Sequence, residues 1–191
     1  METTIAVPNS PLLTAAPLKG RAIGALICGA FGTVWMIEAL YFGAITAPVW
    51  LTAIAILAVI CVWSPLARLY SLRHAPYASA SGQNWSAVSK AYWTIVVIEW
   101  VACAVAMNWL NYVHRPDLWP QFIGGIVGLH FFPLAKIFKA PIYRWTGTAM
   151  TLGVLASLVI PVGEVRNLVA CGICGLALWA TEAVILWQYR H

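Results

Sequence analysis

The chain has 191 residues, 62% of them hydrophobic and 9% charged, with a mean hydropathy of +0.82 and a formal net charge of +5. A soluble domain of that length needs far more polar surface, which leaves an integral membrane protein as the class. The cations flank apolar runs instead of forming a patch, so the basic balance concerns topology and lipid headgroups, and nucleic acid is not an expected partner.

Lys19 and Arg21 stand directly before the first apolar run, and no small-residue cleavage site follows a short apolar core. The first span is therefore expected to stay as an anchor. Six segments are long enough for a hydrocarbon core of roughly 30 Å, which takes about 20 helical residues. They lie at about 22–45, 49–70, 89–112, 118–138, 144–162 and 167–189. Pro65 and Pro133 fall near the ends of the second and fourth, where a missing donor kinks or ends a helix. The sizeable loop, about 71–88, passes through Ser79, Ala80, Ser81, Gly82 and Gln83 and reads as a flexible connection.

Orientation follows from the basic residues. With the N-terminus inside, the cytoplasmic side receives Lys19, Arg21, Arg68, Arg73, Lys90, Lys136, Lys139, Arg144 and Arg190, and the other side only Arg115 and Arg166. That asymmetry alternates through all six spans and predicts both termini in the cytoplasm. The fold class expected is all-α: a bundle of six transmembrane helices around a central polar cavity, a single domain over residues 1–191.

An internal repeat is suggested by Pro65-Leu66-Ala67-Arg68 and Pro133-Leu134-Ala135-Lys136, each followed by a basic stretch and then Ala75-Pro76-Tyr77 or Ala140-Pro141-Ile142-Tyr143. The preceding odd-numbered spans carry Ile37-Glu38 and Ile98-Glu99. Helices one-two and three-four would then be parallel repeats. The simpler explanation is that proline plus a cation marks a cytoplasmic helix end.

The chemistry rests on acids. Glu38, Glu99 and Glu182, half of the six acidic residues, lie inside apolar spans. A carboxylate there is costly unless protonated, paired or facing water, so each is a functional candidate. At about 1.5 Å of rise per residue, Glu99 and His130 reach the same mid-membrane depth on sequential antiparallel helices. Such a couple can share a proton and relay it. The purely structural alternative has His130 bonded to a backbone carbonyl and Glu99 serving as interhelical glue. Trp35 precedes Glu38 by three residues and Trp179 precedes Glu182 by three, a spacing that puts ring and acid on one helix face. Carboxylate and indole together suit an organic cation, although eleven tryptophans make chance proximity common. Asn108, with Asn111 one turn on, is a further solute-binding candidate near the outer mouth.

Trp50, Trp109 and Trp119 mark an outer aromatic belt and Trp93, Trp145 and Trp187 an inner one, while Trp35, Trp63, Trp100 and Trp179 are candidates to line a pocket. Cys28, Cys61, Cys103, Cys171 and Cys174 all fall inside spans and read as packing residues, including the C-x-x-C at 171–174. Gly124 and Gly128 form a G-x-x-x-G that permits close helix contact, within one chain or in a homo-oligomer. No P-loop, dinucleotide fingerprint, zinc-protease motif or nucleophile elbow is present, and no cofactor, metal site or catalytic residue is assigned.

The run Gly128-Leu129-His130-Phe131-Phe132-Pro133-Leu134-Ala135-Lys136 resembles a segment of bacterial multi-spanning membrane proteins of unknown function. That resemblance implies a bacterial inner-membrane bundle and no particular activity. The length and six-span layout are also similar to vitamin-binding subunits of energy-coupling-factor transporters and to small amide channels, without a diagnostic motif of either. The expected function is binding or movement of a small cationic or aromatic solute, coupled to protonation of Glu99 and helped by His130. The alternatives are a membrane enzyme acting on a lipid or apolar metabolite with Glu99 and His130 as acid and base, and an accessory or structural subunit.

Overall fold

The computed structural model describes residues 15–73 and 85–188, the side chains of residues 15–18 and 85 excepted. The Ser79–Gln83 stretch of the expected flexible loop, the Ala75-Pro76-Tyr77 part of the repeat, and Arg190 lie outside the described residues. Six helices follow in order: α1 (Ala15–Phe42), α2 (Pro48–Ser71), α3 (Trp85–Tyr112), α4 (Trp119–Ile137), α5 (Ile142–Ser157) and α6 (Glu164–Trp187), with a short 3-10 turn at Pro116–Leu118 before α4. Among the described residues there is no strand.

Five of the six, all but α5, are long and apolar enough to cross a membrane. Helix α5 has 16 residues, about 24 Å at 1.5 Å per residue. Its apolar sequence runs on, but the backbone does not: Leu158, Val159 and Ile160 each donate three residues back, to Leu155, Ala156 and Ser157. Pro161 explains the early stop, because the residue before a proline is pushed out of the helical region. The interior prolines stand near the ends of their helices, as expected. The helices continue past Pro65 to Ser71 and past Pro133 to Ile137.

Three helix ends share one device. Ala44, His114 and Lys139 take left-handed φ values of 47°, 56° and 50° just beyond α1, α3 and α4. The amides that follow bond five residues back, Ile45 to Leu40, Arg115 to Leu110 and Ala140 to Ala135, closing the orphaned carbonyls of each last turn.

The most extensive helix contact joins α1 to α6; α4–α5, α5–α6, α1–α2 and α3–α4 follow. Small residues make the approach possible. A side-chain carbon at Gly32 would lie 2.6 Å from the Trp179 ring, and one at Gly147 2.7 Å from the Gly128 carbonyl oxygen. Gly124 and Gly128 are used within the chain: the first faces Val154 and Cys174, the second Thr151. Trp35, Met150, Val154, Cys174 and Leu178 are buried in this centre, so its packing is apolar where a polar cavity was expected.

Helices α2 and α3 sit at the edges. Pro65 is the buried residue of α2, and Leu110 is buried in α3. Trp63 and Trp100, expected in a pocket, are 71% and 69% exposed on these outer helices, whereas Trp35 and Trp179 are buried. Trp50, Trp93, Trp109, Trp145 and Trp187 are exposed, as belt residues must be.

Candidate functional site

Helices α3 and α4 are antiparallel neighbours joined by a short turn, so residues at matching depth face each other across their seam. Glu99 and His130 do so: Oε1 of Glu99 lies 3.5 Å from Nδ1 of His130, with the side chains 17% and 15% exposed. The same Nδ1 lies 2.5 Å from the carbonyl oxygen of Val127, one turn back on α4. A carbonyl only accepts, so Nδ1 carries a hydrogen and donates to Val127. The approach of the acid and the bond to a backbone carbonyl therefore meet at one nitrogen. Nε2 is left as the position where a neutral ring accepts a proton. The imidazole also stacks at a tilt on Phe131, 4.5 Å between centroids, which holds the ring plane.

Glu182 and Trp179 lie together on the buried face of α6, in the seam with α1. Glu182 is 1% exposed and neither carboxyl oxygen has a hydrogen-bond partner; the Trp179 Nε1 also lacks one. The carboxyl rests on Gly29, where an added side-chain carbon would be 2.5 Å from Oε2. Trp179 rests on Gly32. The seam brings both residues against the glycines of α1 and buries them in packing.

The other pair divides. Trp35 is buried beside Gly124, whereas Glu38 is on the exposed side of α1. Asn108 is exposed on α3 and donates from Nδ2 to the Ala104 carbonyl oxygen at 2.8 Å, within its own helix. A groove of about 420 Å³ between α1 and α2 is lined by apolar side chains, among them Ile37, Leu40, Leu51 and Ile54, with Thr33 at its α1 side. Glu99, His130 and Glu182 do not line it. Among the described residues, no three His, Cys, Asp or Glu side chains gather closely enough for a metal ion, and Cys171 and Cys174 are free and buried.

Sequence reasoning assigned Arg115 and Arg166 to topology alone and overlooked the polar knot they build. Asp117 accepts from Arg115 at 2.9 and 3.1 Å and from Nη2 of Arg166 at 2.7 Å. Arg166 is 4% exposed, so one carboxylate ties the α3–α4 turn to the start of α6. Gln121 and Asn167, both buried, bond at 3.1 Å beside it. The signal was available: Asp117 is an acid in a turn, two residues from Arg115, one of the two cations that the charge pattern assigns to the non-cytoplasmic side. Arg115 lies outside the helices, and its bond to Asp117 holds its guanidinium above the ordinary arginine value.

No protein family matches the chain. Nor does any curated protein or any solved structure. The reading of the site therefore rests on geometry.

Proposed function

We propose that the chain is a six-span protein of the bacterial inner membrane, with both termini in the cytoplasm, that binds or moves a small solute by proton exchange at Glu99 and His130. The observation that carries this reading is the 3.5 Å approach of Glu99 to His130 between α3 and α4. An acid and an imidazole that meet inside an apolar span form a unit able to take up and release one proton. Leu158–Val162 would extend the short α5 across the rest of the bilayer. The solute proposed is small and cationic or aromatic, because carboxylates and indoles are the polar and π-rich groups the spans offer.

The test is transport by purified protein in sealed vesicles carrying an internal pH-sensitive dye, with a panel of aromatic amines and quaternary ammonium ions outside. A substrate-dependent proton flux is expected in the wild type, and loss of about 99% of it in Glu99→Gln with folding retained, as removal of an essential proton carrier requires. Flux that persists in Glu99→Gln overturns the reading.

The enzyme alternative is favoured by one detail: with Nδ1 donating to Val127, Nε2 of a neutral His130 is the available base. It predicts turnover of a lipid or apolar metabolite in detergent, where no sealed compartment exists.

A further inference from the structure

Glu182 lies against the part of α2 that Pro65 disturbs. Proline has no backbone N–H, so Pro65 removes the helical hydrogen bond that would occupy the carbonyl four residues earlier, which belongs to Cys61. Helix α2 nevertheless continues through this point, and Pro65 is buried. The freed oxygen is aimed at the same place as Glu182. A carbon built on Gly29 would lie 2.7 Å from the Cys61 carbonyl oxygen and 2.5 Å from Oε2 of Glu182. An acceptor released by a proline and an acidic side chain thus converge on one glycine, at the junction of α1, α2 and α6.

The surroundings supply little to satisfy them. Thr33 donates to the Gly29 carbonyl oxygen, and Thr181, one residue from Glu182, is engaged with Thr146 and Ala177. Cys61 and Ser64 on α2 are the side chains near the carboxyl, yet no hydrogen bond to it closes. Cys28 is the titratable neighbour on α1, and among the described residues no Lys, Arg or His forms an ion pair with Glu182. The neighbours are neutral, so among the described residues a buried carboxylate and a freed carbonyl meet with no counter-charge, which is unfavourable unless a positive species lies between them.

We infer that Glu182, the Cys61 carbonyl oxygen and the Ser64 hydroxyl form a buried site for a bare monovalent cation, a proton or a dehydrated sodium ion. All the groups are hard oxygens. A proton would sit on the carboxyl and be donated to the carbonyl; sodium would be held by the carboxyl, carbonyl and hydroxyl oxygens together. Carbonyls released from interrupted membrane helices are suited to this task, because backbone oxygen that escapes the helical ladder must find another partner. The site is separate from Glu99 and His130 and stands whether or not that pair moves protons.

The test is thermal unfolding of the full chain in detergent. One series varies sodium, potassium or choline chloride at fixed pH and ionic strength; a second varies pH in choline alone. The wild type is expected to show a Tm that rises with sodium, or one that shifts with pH in the absence of sodium, and the two series tell the occupants apart. In Glu182→Gln and in Pro65→Ala, which returns an N–H to the Cys61 carbonyl, the half-saturating cation concentration is expected to rise by about tenfold or more. Should Glu182→Gln fail to fold, Pro65→Ala decides alone. A wild-type response to neither cation, or a Pro65→Ala response equal to the wild type, overturns the proposal. Loss of proton flux in Glu99→Gln with an unchanged cation response would leave this site intact and so separates the two readings.

Discussion

At Gly29 the carboxyl of Glu182 and the carbonyl of Cys61 both press on α1, and no space remains for a methyl group. Gly29→Ala is expected to destabilise the folded protein by about 1–3 kcal/mol, the usual range for overpacking. Gly172, with nothing within 4 Å of its would-be side chain, is the control, and Gly172→Ala should stay within about 0.5 kcal/mol. Thermal unfolding of the two variants in one detergent checks this, and equal effects would count against the three-helix junction. At this scale the sequence is unevenly informative. The depth of Glu99 and His130 was readable because helical rise is constant and their helices are consecutive. The separation of Trp35 from Glu38 was not, since a helix apolar all round carries no mark of its inward face. The Glu182 surroundings depend on α1 and α2, far away in the chain, and no local spacing reports them.

Between elements, one carboxylate does the joining. Asp117 holds the exposed Arg115 on its own turn and the buried Arg166 at the start of α6. Asp117→Asn is expected to lower stability by about 2 kcal/mol through the Arg166 contact, a charged hydrogen bond left without its acceptor charge. Arg115→Ala should be nearly silent, because that partner is exposed. Chemical or thermal unfolding of both variants decides the point, and a larger effect from Arg115 would contradict this division. The number and order of helices were legible from apolar run length alone. The length of α5 was not, because hydropathy continues through Leu158–Ile160 while Pro161 ends the helix from beyond the run. Ala44, His114 and Lys139 give no composition signal for their left-handed turns, which glycine usually fills.

For the whole molecule, the bundle has an inner group of α1, α4, α5 and α6 and two flanking helices, each leaning chiefly on its chain neighbour. The proposed six-span orientation makes a prediction on this scale. A cysteine introduced at Thr46 should react with a membrane-impermeant maleimide from outside the cell. One at Lys139 should react only after the membrane is opened. Cys28, Cys171 and Cys174 are buried, and replacing the half-buried Cys61 and Cys103 by alanine leaves that readout clean. Labelling of both new positions from the same side would refute the topology. Charge asymmetry is the basis of this proposed orientation, whereas the filled centre left no mark in the sequence, because patterning specifies which residues avoid water and not how tightly they meet.

The dominance of the α1–α6 contact has a consequence for how the protein is made. Helix α1 leaves the ribosome first among the described helices, yet its main partner is the last of them. Until α6 is synthesised, the glycine face of α1 has lipid against it in place of Trp179 and Glu182. Every earlier helix can settle against its immediate neighbour, but the seam that holds the buried acid forms only once α6 is made. A chain interrupted before α6 would be inserted and still unpaired at this seam, displaying on α1 a narrow small-residue stripe that membrane quality control could use to tell it from a chain that carries α6.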